Sequence, residues 1–160
     1  MTSSDPVQTI LDQFDLNPEQ LYRLSGKERS RLLNFLMRWE HIEALHACLD
    51  VLIADNPHLV SLLDLRARAY LAQEEYLQAL EAMWARLKLG TSITARALLA
   101  RIHLARGDVD IAQHISQELV DQDPESTTVW GLVAQVELAR GDSAASESCS
   151  RRPRAMVTRN

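Results

Sequence analysis

The sequence predicts an all-α protein assembled from repeated helical hairpins, and three observations carry that expectation. Alanine (19) and leucine (25) make up more than a quarter of the 160 residues, while glycine and proline number only 5 each. Such a balance favours helix over strand and turn. The pentapeptide Leu104-Ala105-Arg106-Gly107-Asp108 returns unchanged as Leu138-Ala139-Arg140-Gly141-Asp142, a shift of 34 residues. Between these marks the apolar residues keep helical spacing, as in Tyr76, Ala79, Leu80, Met83, Trp84 and Leu87, or Val109, Ala112, Ile115 and Leu119.

Composition narrows the class further. With 46% hydrophobic and 24% charged residues and a net charge of −5, the chain has enough apolar material for a core and lies away from the signature of disorder. No apolar run approaches the roughly 18 residues of a membrane span. The start, Met1 to Pro6, lacks the basic region of a signal peptide, so a cytoplasmic address and no membrane partner are expected. Cys48 and Cys149 form no C-x-x-C pair, which argues against a disulfide framework or a cysteine zinc site. The acidic body would repel phosphates, which argues against nucleic acid as its partner.

The elements follow in order. Asp5-Pro6 reads as an N-cap and first helical residue, followed by the stripe Val7, Ile10, Leu11 and Phe14. A second helix start stands at Asn17-Pro18, and residues 1–24 are expected to form a helical cap over the first repeat. The capping box Ser25-x-x-Glu28 opens a diverged unit that runs to Pro57, with Ala44 at the small position of its second helix. Thereafter three tracks step by 33 and then 34 residues: Ala67, Ala100, Ala134; Tyr70, His103, Glu137; and Pro57, Gly90, Pro124. The marker Leu71-Ala72-Gln73-Glu74-Glu75 is a degenerate copy of the pentapeptide. Gly107 suits the left-handed position that ends a helix and Asp108 the N-cap of the next, and Gly141-Asp142 is expected to repeat the turn.

Beyond Asp142 the pattern collapses. Residues 143–150 offer small side chains and one acid, so little can be buried there. Residues 146–160 carry a net charge of +3, from Arg151, Arg152, Arg154 and Arg159 against Glu147, and read as a disordered basic tail. That tail is either an anchor for an acidic partner or the mark of an array cut short, and the second reading is preferred. Trp130, Val133 and Val136 then lack cover, which predicts an exposed apolar face and self-association through the uncapped last repeat.

The repeat resembles the tetratricopeptide repeat family, whose 34-residue helix-turn-helix follows W-x2-L-G-x2-Y, then A-x3-F, then P. The units here read Leu63-x2-Arg66-Ala67-x2-Tyr70 with Ala79-x3-Met83; Arg96-x2-Leu99-Ala100-x2-His103 with Ala112-x3-Ser116 and Pro124; and Trp130-x2-Val133-Ala134-x2-Glu137. The likeness covers three to four units over residues 25–145. It implies a right-handed α-solenoid, a superhelix of antiparallel helix pairs, and a scaffold that binds a partner peptide or protein segment in its concave groove.

Family groove positions carried onto this chain give Arg29 in the diverged unit. They give Ser61, Asp64, Arg68, Leu71 and Ala72 in the next, then Thr94, Ala97, Arg101, Leu104 and Ala105, and finally Thr128, Gly131, Gln135, Leu138 and Ala139. Ala97 and Gly131 are small enough to admit a ligand backbone. Arg68 and Arg101 hold equivalent places, and a guanidinium ladder there suits acidic groups or a terminal carboxylate. The plainer alternative is that both solvate the inner face or pair with Asp64. A second function remains open, a regulatory module that engages nucleic acid or an acidic surface through the arginine-rich tail.

No catalytic constellation emerges: the phosphate-loop, dinucleotide, zinc-protease and nucleophile-elbow signatures are all missing. No enzyme activity, cofactor or metal is expected. His41 and His46 are five apart and read as polar surface residues, His103 as a packing histidine in the slot of Tyr70, and Cys48 as a small hydrophobe between Leu45 and Leu49. Cys149 is expected to be exposed. Trp39, Trp84 and Trp130 read as packing residues.

Overall fold

A computed structural model describes the backbone over residues 18–38 and 41–150, and side chains over 21–38 and 41–141. The Val7–Phe14 stripe, Trp39, the side chain of Cys149 and the arginines from Arg151 onward lie outside the described residues. Within them every regular element is a helix. The helices are α1 (Pro18–Arg23), α2 (Gly26–Arg38), α3 (Ile42–Asp55), α4 (Val60–Ala72), α5 (Tyr76–Lys88), α6 (Ile93–Arg106), α7 (Val109–Gln122) and α8 (Thr127–Ser150). Neighbours in sequence pack together within each of two compact units, which divide between Thr91 and Ser92. The protein is thus an all-α chain of repeat-like hairpins.

In the first unit Pro18 opens α1, and the capping box starts α2 as its residues predict. The Ser25 N–H donates to Glu28 Oε2 at 2.8 Å, the Ser25 hydroxyl donates to the same oxygen at 2.7 Å, and the Glu28 N–H donates to Ser25 Oγ at 3.4 Å. Leu21, Leu36, Leu45, Leu49 and Leu52 are fully buried, each contributing about 1.5–3 kcal/mol of transfer free energy. Ala44 and Cys48 sit among them. The α3 and α4 helices are joined by an ion pair between Arg66 and Asp50. The His46 ring also lies against Tyr70, centroids 4.4 Å apart, and His46 Nε2 meets Gln73 Oε1 at 2.9 Å. His46 is therefore an inter-helix contact rather than a free surface residue.

The α4–α5 hairpin buries Ala67, Ala69, Ala79, Leu80 and Met83. Its turn is closed by the Glu75 N–H donating to Tyr70 O at 2.9 Å and the Glu74 N–H donating to Leu71 O at 3.1 Å. Glu74 has φ 60°, a left-handed conformation that a side chain resists. On α5 Trp84, expected to pack, is 56% exposed, whereas Arg86, outside the apolar stripe, is buried.

In the second unit Ser92 opens α6, its hydroxyl accepting from the Ala95 N–H at 3.2 Å. The α6–α7 turn is the one the pentapeptide predicts. Gly107 takes φ 98°, the Asp108 N–H donates to His103 O at 2.8 Å, and the Gly107 N–H donates to Leu104 O at 3.1 Å. Asp108 holds the N-cap position of α7 without a side-chain cap bond. Its carboxylate instead lies 3.2 Å from His103 Nδ1 and 3.5 Å from Arg106 Nε. Half-buried and so partnered, His103 is the packing histidine expected. Ala97, Ala100, Ala112, Leu119, Val129, Leu132 and Val136 form the core of this unit. Ser116, a departure from the family pattern, is buried with its hydroxyl donating to Gln113 O at 2.8 Å.

The last repeat departs most. The predicted break at Gly141-Asp142 does not form, and α8 runs without interruption through residues 143–150, eight of them beyond the point where a turn and loose tail are expected. Gly141 is not among the positive-φ residues. The same five residues turn after α6 because Val109, Ala112, Ile115 and Leu119 follow and must be buried. Residues 143–150 bring no such stripe, so nothing in them repays the entropy of folding back. Consequently Ala67 and Ala100 are fully buried while Ala134 is exposed. The exposed face is also rotated from the expected one: Trp130 is 51% and Leu138 69% exposed, yet Val136 is in the core.

Candidate functional site

The α2 and α4 helices of the first unit enclose an open cavity of about 290 Å³. Ser30, Leu33 and Asn34 line it from α2, and Ser61, Leu62, Asp64, Leu65 and Arg68 from α4. The spacing explains the convergence, since residues three and four apart share a helix face. Leu33 and Leu62 are buried and make an apolar floor, with exposed Ser61, Asn34 and Arg68 above it.

Its electrostatics turn on Asp64. Arg86 Nε donates to Asp64 Oδ1 at 2.9 Å, and Arg86 Nη1 donates to Gly90 O at 2.7 Å. The Arg86 side chain is 8% exposed and that of Asp64 31%. The buried guanidinium of Arg86 on α5 therefore offsets the Asp64 carboxylate that lines the cavity. Arg68, the alternative partner expected for Asp64, makes no ion pair among the described residues. The cavity thus presents the unpaired guanidinium of Arg68 with the charge of Asp64 already offset.

Of the expected positions in this unit, Ser61, Asp64 and Arg68 converge on the cavity, whereas Arg29 and Leu71 are half-buried outside its lining. Sequence reading missed Ser30 and Asn34. Their signal was a polar i, i+4 pair beside Leu33, hidden because the diverged unit lacks the repeat's markers. In the second unit Thr94, Thr128, Gly131, Gln135 and Leu138 are exposed, and Arg101 and Leu104 half-buried. Arg101 Nε is shielded from solvent without a hydrogen-bond partner. Ala97 is 1% exposed within the core and offers no surface to a ligand, because α8 packs over this part of α6.

Among the described residues no group of three or more His, Cys, Asp or Glu is arranged to hold a metal ion, and no helix is long and apolar enough to cross a membrane. Fold and cleft together define an all-α helical-repeat protein with a polar-rimmed cavity between the first helices of successive hairpins. No protein-family model matches the chain, and no curated protein matches it.

Proposed function

We propose that this protein is a tetratricopeptide-repeat-like interaction scaffold that holds a segment of a partner protein against the α2–α4 cavity. The observation that carries the reading is the meeting of Ser61, Asp64 and Arg68, three positions carried over from the family's groove pattern, in one cavity with an apolar floor. The step of 33 and 34 residues, the buried Ala67 and Ala100, and the left-handed turns at Glu74 and Gly107 support the family likeness. The segment it accepts is extended and carries an acidic side chain or a free terminal carboxylate for Arg68.

The test is selection from a displayed library of short peptides with free C-termini, followed by fluorescence polarisation against the wild-type chain and Arg68→Ala. Enriched peptides bear carboxylates, and Arg68→Ala weakens them about tenfold, equivalent to about 1.4 kcal/mol. A selection that enriches nothing, or peptides whose affinity ignores Arg68, overturns the proposal.

A further inference from the structure

Two exposed helix faces carry matching patterns of opposite sign. On α2, Lys27, Arg31, Asn34 and Arg38 are all exposed and spaced i, i+4, i+7 and i+11, so they form one stripe along the helix. The only acid of α2, Glu28, is engaged by Ser25 in the capping box. On α7, Asp110, His114, Gln117 and Asp121 are exposed at the same spacing, and that helix holds no lysine or arginine. Lys27, Arg31, Arg38, Asp110 and Asp121 make no ion pair among the described residues.

One antiparallel register satisfies both stripes at once. It sets Lys27 against Asp121 and Arg38 against Asp110, with Asn34 facing His114 and Arg31 facing Gln117 beside Glu118. No like charges meet. Phe35 and Ile111, 49% and 46% exposed, fall on the same flank of this pairing and give it an apolar edge. Glu118 is already paired with Arg96, so the attraction rests mainly on the end pairs.

We infer that α2 of one copy docks on α7 of a second copy through these stripes, a contact between two different surfaces that extends head to tail. This goes beyond the proposed peptide binding and uses none of Ser61, Asp64 or Arg68. Exposed pairs are individually weak and screened by salt, so the association is weak and salt-sensitive.

Sedimentation velocity at about 20 mM and about 500 mM salt, which span the range of strong screening, provides the test. The wild-type chain gains mass with concentration at low salt, and its self-association weakens at least about tenfold at high salt. Arg31→Glu with Arg38→Glu, and separately Asp110→Lys with Asp121→Lys, are each monomeric alone. Their equimolar mixture associates, because the unaltered α2 of the second variant still fits the unaltered α7 of the first. Circular dichroism checks each variant; one that loses helical signal is replaced by its neutral form, Arg31→Gln with Arg38→Gln or Asp110→Asn with Asp121→Asn, expected to associate at least about threefold more weakly than wild type. A wild-type monomer at low salt, a variant or neutral form that associates as wild type does, or an inert mixture of the folded reversed variants overturns the inference.

Discussion

Glu74 and Gly107 occupy the same point of equivalent turns one repeat apart, and both have left-handed backbones, φ 60° for the glutamate and φ 98° for the glycine. In each case the next residue's N–H reaches back to the carbonyl of the conserved-register aromatic or histidine, Tyr70 or His103. The geometry is common to both turns, but only glycine adopts it without steric cost. Glu74→Gly is therefore expected to stabilise the protein by about 0.5–1 kcal/mol, and Gly107→Ala to destabilise it by about 1 kcal/mol, read as shifts in the urea midpoint.

Gly141 sits at the corresponding point of the third pentapeptide yet lies inside α8. Among the described residues nothing lies within 4 Å of where a Cβ would stand. Gly141→Ala should consequently raise stability by up to about 1 kcal/mol, the reverse of the effect at Gly107, because alanine is the better residue in a helix interior. Equal destabilisation at the two sites would show that the turn recurs after all.

Removing Arg86 leaves Asp64 without its guanidinium at the cavity and frees the Gly90 carbonyl at the end of α5. Arg86→Ala is expected to cost about 2 kcal/mol, less than for a fully buried pair because Asp64 keeps some contact with water. A double-mutant cycle with Asp64→Asn should return a coupling of at least about 1 kcal/mol by chemical denaturation.

How much of this was legible depends on whether a feature is written locally. The Ser25–Glu28 box, the Gly107 turn and the equivalence of Tyr70 and His103 each need only a few adjacent residues and a step of 33. The end of α8 was not legible from its pentapeptide, because five identical residues turn in one place and stay helical in another. What decides is the apolar stripe that follows, present from Val109 to Leu119 and lacking after Asp142. Arg86 was missed for a related reason: a buried arginine breaks the hydrophobic pattern, and its partner Asp64 lies 22 residues away. Trp84 was misplaced because helical spacing alone does not say which flank of an amphipathic stripe the neighbours cover.

Burial pushes the Cys48 thiol up from 9.0 to about 11. The thiol stays neutral in the fold, so its contribution to stability is full below pH 9 and falls as pH rises toward 11. In a Cys149→Ser background, a thiol reagent at pH 8 should leave the native protein unlabelled and react rapidly once denaturant is added.

The Ser25 hydroxyl and then its backbone N–H hold the Glu28 carboxyl below its ordinary value of 4.5. Its support of α2 is present above that value and disappears as pH falls through the lowered one. Ser25→Ala, which removes the hydroxyl but keeps the backbone N–H, should move the Glu28 titration, followed by side-chain NMR, up toward the ordinary value.

The exposed Ala134 marks a stretch of α8 against which a further helix can be laid. A cassette encoding the α7 stripe, spliced after Asp142, would find an unoccupied seat of the kind that Ala100 provides to α7 itself, and the glycine already present at 141 would become a hinge. Length is therefore an adjustable property of this architecture, set by whether the next stretch of polypeptide brings enough grease to turn back.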